Sequence, residues 1–247
     1  MADERPLYNS VAPLRNVGAL VALVRRVEER EHSLPGMACF YGPSGYGKST
    51  AATYAVNRFD AYAVQMKSVW SRKWFVERIA AEMSIKPART IPAIVDQVAE
   101  HMAMTGRTLI IDEADVLVQR KMVEVARDLY ESSGSGVILI GEEDLPQNLR
   151  AWERVHGRML DWVPAQPGTI EDARHLAPIY CSGIEVEDAL LERVHRQSGG
   201  SIRRICVNLA RIREVAVTRD LRSIGAADVE KNAFHTGEAP TPRRIRA

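Results

Sequence analysis

A parallel α/β domain followed by a small all-α domain is the architecture this sequence predicts, on three observations. Between residues 37 and 164, short apolar runs of strand length alternate with segments of helical periodicity. Beyond residue 169 the periodicity is helical throughout. The first apolar run, Met37 to Tyr41, ends in a glycine-rich stretch that opens directly into a helical segment. Strands that alternate with helices are joined by right-handed crossovers, which build a parallel sheet with helices on both faces.

The elements follow in order. Residues 1–14 contain prolines and no regular pattern, and read as an arm. Asn16 to Glu31 sets Val17, Leu20, Val21, Val24 and Val27 at helical spacing, and Pro35-Gly36 ends it. Met37–Tyr41 is a buried strand, Ala51 to Val56 begins a helix, and Ala61 to Met66 is the second strand. Lys67 to Trp74 leads into a helix through Ile79, Ala80 and Met83, with Trp70 and Trp74 as core anchors. Ile91 to Thr105 is a helix with Ile94, Val95, Val98 and Met102 on one side. Thr108 to Asp112 is the third strand, Val116 to Tyr130 a helix, and Val137 to Gly141 the fourth strand. Leu149 to Leu160 reads as one helix with Arg150, Arg154 and Arg158 along one face. Asp161 to Pro164 is a last short strand, and Ala165 to Thr169, with Pro167 and Gly168, is a linker. Ile170 to Tyr180, Val186 to Gln197, Ser201 to Val217 and Ala226 to Phe234 form a helical bundle. The domain division is therefore an arm at 1–14, an α/β domain at 15–165, a helical domain at 166–236 and a basic tail at 237–247 with Arg243, Arg244 and Arg246.

Composition narrows the class. The net charge of +1 over 247 residues excludes a polycation, so any nucleic-acid contact has to come from a local patch. Cys39, Cys181 and Cys206 form no paired motif, which suits a reducing compartment. No apolar run is long enough to span a membrane, and the acidic start lacks a signal core. The expectation is a cytoplasmic protein with no membrane partner.

Gly42, Pro43, Ser44, Gly45, Tyr46, Gly47, Lys48 and Ser49 fit a glycine, four free positions, then Gly-Lys-Ser. Glycines let the backbone curl so that its N–H groups point at an anion, and the following helix N-terminus adds partial positive charge. Lys48 would reach the β- and γ-phosphates of a nucleoside triphosphate, and Ser49 would ligate Mg²⁺, with Thr50 continuing the site. The strand ending Leu109-Ile110-Ile111-Asp112-Glu113 carries Asp112 to the metal shell and Glu113 to the attacking water as general base. Asn16 and Val17 stand where a segment before the first strand packs over an adenine; the alternative is that Asn16 caps its helix. Lys67, Arg72 and Lys73, interleaved with tryptophans, are either a nucleic-acid surface or a solvated face. The arginine row ending at Arg158 is a finger offered to a neighbouring subunit's nucleotide, or a solvated basic face, or is paired with Glu153 and the upstream acids. The scattered histidines suggest no metal other than Mg²⁺.

In this order GPSGYGKS, TLIIDEAD, VILIGEED, the arginine row and GGSIRR resemble the AAA+ ATPases, from about Leu14 to Phe234. Within that superfamily the wording GEEDLPQNLRAWERVHGRM is most similar to the transposition ATPases, the group of the phage Mu B protein, with TniB, TnsC and ExeA-type relatives. The resemblance implies a five-stranded sheet of order 5-1-4-3-2 and a helical lid. It implies ATP and Mg²⁺ as cofactors and a slow ATPase stimulated by DNA and transposase. It implies a helical filament of this chain on double-stranded DNA, without sequence preference, that captures target DNA and activates a transposase. By motif, Arg203 falls on the lid arginine and Arg158 on the finger. The DNA contacts of relatives fall on Lys67, Arg72, Lys73, Arg120 and Lys121. Two departures stand out. Glu142 occupies the place of an Asn or Thr that senses the γ-phosphate, and a carboxylate cannot donate a hydrogen bond. The short arm also replaces an added DNA-binding domain, so DNA affinity is expected to rest on the ATPase core. The alternatives are an ExeA-type ATPase acting on protein partners in secretion, a clamp-loader or initiator-like ATPase, and a nucleotide-binding scaffold without turnover.

Overall fold

The strand-length apolar runs assemble into one parallel sheet in the computed structural model, which describes residues 13–230 and 234–237. β1 (Met37–Tyr41), β2 (Tyr62–Gln65), β3 (Leu109–Asp112), β4 (Val137–Gly141) and β5 (Met159–Pro164) lie in the order β2-β3-β4-β1-β5. Every pairing is parallel. This is the expected order, read from the other edge. Almost all of the expected arm, and the tail with Arg243, Arg244 and Arg246, lie outside the described residues.

The chain divides into two units, residues 15–166 and the residues from 167 onward. The first unit holds α1 (Arg15–Glu28), α2 (Lys48–Phe59), α3 (Arg72–Glu82), α4 (Ile91–Thr105), α5 (Asp115–Gln119), α6 (Val123–Ser133), α7 (Leu145–Leu149) and α8 (Glu153–His156). Side chains alternate across a strand. Met37, Cys39, Leu109, Ile111, Val137 and Leu139 share one buried cluster with α3, α4 and α6. Ala38, Phe40, Ile110, Ile138 and Ile140 point the other way and are fully buried too. That second buried face is why the central strands read as continuous apolar runs rather than alternating ones.

Two expected helices are broken, for one geometric reason. The stretch from Val116 to Tyr130 is α5 and α6, separated at 120–122, where Lys121 takes a left-handed φ of 53°. Leu117 and Met122 are both buried, yet on one continuous helix they would stand about 140° apart. Likewise Leu149 to Leu160 is α7, a break at 150–152, then α8. Leu149 and Val155 are both buried, and one helix would set them about 120° apart. Arg150, Arg154 and Arg158 therefore share no helix face. The tryptophans divide. Residues 67–70 form a turn closed by Trp70 N–H donating to the Lys67 carbonyl, and Ser71 caps α3 by accepting from Trp74 N–H. Trp70 packs on the core, whereas Trp74 is 51% exposed and is not among the side chains packed on that cluster.

The second unit contains α9 (Ile170–Tyr180), α10 (Asp188–Ser198) and α11 (Ile202–Thr218), which bury Leu176, Leu190, Val194, Ile205, Leu209 and Ile212. It is not purely helical: β6 (Glu185–Val186) and β7 (Ser223–Ile224) pair in parallel. The helix expected over 226–234 is absent from the described residues. In its place Arg193 donates to the carbonyls of Ala226, Val229 and Glu230, and Gly225 N–H donates to Asp228. The segment's backbone groups are thus met by side chains instead of helical bonds. The expected linker is fastened at both ends. Ala165 N–H donates to Tyr41 in the first unit, and Gly168 N–H donates to Gly200 in the second.

Thr169 and Asp172 form a reciprocal capping box at the start of α9. Thr169→Ala is expected to cost the helical unit about 1 kcal/mol, read by urea unfolding with a probe in that unit; an unchanged midpoint contradicts the capping role.

Candidate nucleotide site and the basic surface beside it

The glycine-rich loop is tied to the sheet at its start: Gly42 N–H donates to the Gly141 carbonyl at 3.2 Å. A Cβ on Gly42 would lie 3.0 Å from that of Ala165, so no larger residue fits without a shift. Gly47 turns the chain into α2 at φ 81°, a left-handed conformation that glycine adopts freely. Lys48 Nζ donates to the carbonyls of Gly42 at 2.6 Å and Pro43 at 2.9 Å, which holds the loop closed on its own lysine. Burial lowers the Lys48 pKa, while Asp112, Glu142, Glu113 and Asp115 act to raise it.

The acids come from the ends of β3 and β4. Ser49 Oγ donates to Asp112 Oδ2 at 2.7 Å, so the two proposed Mg²⁺ ligands already touch. Glu113 follows with φ 56°, exposed at the strand tip. Its pKa is raised by burial first and then by the charges of Asp112, Glu142 and Asp115. Asp115 is the residue to which sequence reasoning assigned no role. Its Oδ2 accepts from Glu142 N–H at 2.7 Å, joining the tips of β3 and β4. A Cβ on Gly141 would overlap that carboxylate and the Leu145 side chain. The available signal was a third acid, three residues past Asp112. Asp115 also has a raised pKa, from burial above all, opposed by the backbone bond from Glu142. The Glu142 side chain is exposed and acts on the site through its charge, while its backbone N–H holds Asp115.

Asn16 is the second residue of α1, not its cap. It is buried, and its amide donates to the Tyr46 carbonyl at 2.8 Å and to the Gln166 carbonyl at 2.7 Å. Its oxygen accepts from Gln166 N–H at 2.9 Å. One side chain thus links α1, the glycine-rich loop and the exit from β5. Val17 is buried beside it in sequence.

The structure gathers residues that are far apart in sequence. Arg72 donates to the Lys121 carbonyl at 3.0 Å, and Arg120 donates to the Ser68 carbonyl. The β2–α3 turn and the α5–α6 break are therefore locked together, which brings Lys67, Arg72, Lys73, Arg120 and Lys121 to one surface. All five are exposed. Lys67 also donates to Gln65, and Lys73 lies 3.7 Å from Glu77, pairs that hold little in water. This surface adjoins the acids: Gln65 pairs in register with Asp112, and Met66 N–H donates to the Asp112 carbonyl.

Two sites from the sequence stand apart. Arg158 is ion-paired to Glu131 at 2.7 Å, and its carbonyl accepts from Met37 N–H. Met37 opens β1, so Arg158 sits at the sheet edge opposite the one that carries the loop. Arg203 is exposed in the first turn of α11 and belongs to the second unit.

The parallel sheet order, the glycine-rich loop after β1 and the acidic pair ending β3 are those expected from the sequence. Residues 30–149 match the family model described as an AAA domain. No curated protein sequence matches the chain. Among solved structures, the Aeropyrum pernix ORC2 protein in its ADP form is similar at TM-score 0.65 and 17% identity, over 88% of this chain and 68% of that one. The Aeropyrum pernix ORC1 protein in complex with DNA gives 0.63 and 15%, over 86% and 62%, so this chain spans less than two thirds of that length. The Thermotoga maritima RuvB Holliday junction branch migration motor gives 0.59 and 18%, over 86% and 66%. These likenesses show the fold.

Because the folded state raises the Glu113 pKa, ionised Glu113 costs stability at neutral pH without a bound cation. Glu113→Gln is therefore expected to raise the melting temperature of the nucleotide-free protein at neutral pH. The gain should shrink as pH falls through the raised pKa, where the wild-type group becomes neutral. Thermal melts across that range check this, and a variant that melts below wild type at neutral pH contradicts it.

Proposed function

We propose that this chain is an ATP- and Mg²⁺-dependent ATPase that assembles on double-stranded DNA without sequence preference and presents it to a transposase. The observation that carries the DNA reading is the locking of Arg72 to Lys121 and Arg120 to Ser68, which makes one cationic surface beside the nucleotide site. Neighbours of this fold include a protein solved in complex with DNA. The transposase is supported by the resemblance of the motifs to the transposition ATPases.

The residues fit the cofactors. Mg²⁺ in such sites is held by one or two carboxylates, phosphate oxygens and waters rather than a protein cage. Ser49 and Asp112 supply that partial set, and no cluster of three or more His, Cys, Asp or Glu among the described residues forms a cage elsewhere. Bound MgATP supplies the phosphoryl group to be cleaved. Lys48 would exchange its bonds to the Gly42 and Pro43 carbonyls for phosphate oxygens, and the N–H groups of the loop would complete the cradle. Glu113 orients and deprotonates water, a role its raised pKa suits. Arg158 lies at the opposite sheet edge from its own loop, so any nucleotide it meets belongs to a neighbouring copy. Arg203 is proposed as the lid arginine. No helix among the described residues is long and apolar enough to cross a membrane.

Lys48→Ala should abolish ATP-dependent retention of duplex DNA in a filter-binding assay, and full binding by that variant removes the filament reading. Lys121→Ala should weaken binding evenly across sequences and lower the slope of log affinity against log salt by about one; an unchanged slope takes Lys121 off the DNA surface. Arg158→Ala should bind nucleotide normally but lose assembly-stimulated hydrolysis, measured as phosphate release against protein concentration. Full stimulation in that variant would assign the finger elsewhere.

A further inference from the structure

Val69 is 83% exposed, and it sits at the corner of the turn that Trp70 N–H and the Lys67 carbonyl close. That turn is braced from outside. Arg120 holds the Ser68 carbonyl, Arg72 holds the Lys121 carbonyl, and Ser71 starts α3 just beyond. The chain thus fixes the geometry of a turn whose apolar corner packs on nothing of its own. Trp74, half exposed, follows on the first turn of α3. A solvated phosphate-binding face needs cations and has no use for a presented valine and indole. An apolar tip ringed by cations does fit a groove walled by phosphates and floored by stacked bases.

We infer that Val69, supported by Trp74, is a wedge that enters a groove of duplex DNA and unstacks a base step while Lys67, Arg72, Arg120 and Lys121 hold the flanking phosphates. The chemistry is that of apolar side chains which part base steps, with phosphate contacts offsetting the cost of unstacking. A guanidinium has five N–H donors, so Arg72 and Arg120 keep donors for phosphate after bracing the turn. The inference rests on the proposed DNA binding and adds a contact to the bases that phosphate binding alone does not need.

The test uses the full chain with ATP, Mg²⁺ and a duplex carrying 2-aminopurine, whose fluorescence rises when it is unstacked. Binding is followed in parallel by anisotropy of an end label. Wild type should raise the 2-aminopurine signal as it binds. Val69→Ser should bind about tenfold more weakly, the loss of one buried valine, with an unchanged salt slope and little fluorescence rise. Val69 is exposed, so its variant should melt with wild type. Wild-type binding without a fluorescence rise, or an equal rise in Val69→Ser, overturns the wedge and leaves the phosphate contacts standing. A Val69→Ser defect in self-association without DNA overturns it too, by making the tip an interface between copies. Failure of wild type to bind duplex DNA at all would overturn the proposed function itself.

Discussion

One ammonium group among four carboxylates organises the first unit. The charges of Asp112, Glu142, Glu113 and Asp115, which lie at or past the tips of two neighbouring strands, act on Lys48. Parallel pairing sets those tips at one edge: β1 pairs with β4, β4 with β3, and the loop leaves from β1. Burial first, and then the neighbouring carboxylates, raise the pKa of Glu113 and of Asp115. A hydrated divalent cation with a polyphosphate would meet both sides of this charge cluster, the metal offsetting the acids and the phosphates meeting the lysine and the loop N–H groups.

The surroundings keep this arrangement from relaxing. Gly141 leaves room for the Asp115 carboxylate, which then clasps the backbone of Glu142. Asn16 fixes the outer side of the loop by binding the Tyr46 carbonyl and both backbone groups of Gln166. A buried amide with three bonds is costly to disturb, since each abandoned partner would be left unsatisfied. The same strand tips lead to the cationic surface. Asp112 is bonded to Met66, one residue before Lys67, and the short α5 runs from Asp115 to Gln119, one residue before Arg120. Only one to a few residues separate the acids from the cations in the chain, so the two sites adjoin.

The sheet was legible because its strands are apolar runs buried on both faces, and the loop because Gly-Lys-Ser has few other uses. The helix breaks were not. Their signal is a mismatch of angle between Leu117 and Met122, and between Leu149 and Val155, which appears only once both members of each pair are known to be buried. That error placed Arg158 on a face with Arg150 and Arg154. Asn16 resembled a cap because helix caps and long-range amide clamps use the same residue type. Trp74 resembled core because an indole usually is, and its exposure depends on where Ser71 starts α3. The convergence of Arg72 on Lys121 was invisible to periodicity, since it joins residues 49 apart in sequence. Among the described residues of 226–234 no helix is present, and Arg193, from α10, meets the carbonyls of Ala226, Val229 and Glu230 instead.

The central claim is that a bound triphosphate makes copies of this chain assemble along a duplex. Electron microscopy of the purified protein with ATP, Mg²⁺ and linear double-stranded DNA tests it most directly. The account predicts continuous helical coats on the DNA that vanish when nucleotide is withheld. Bare DNA beside dispersed single copies, with every component present, would contradict it.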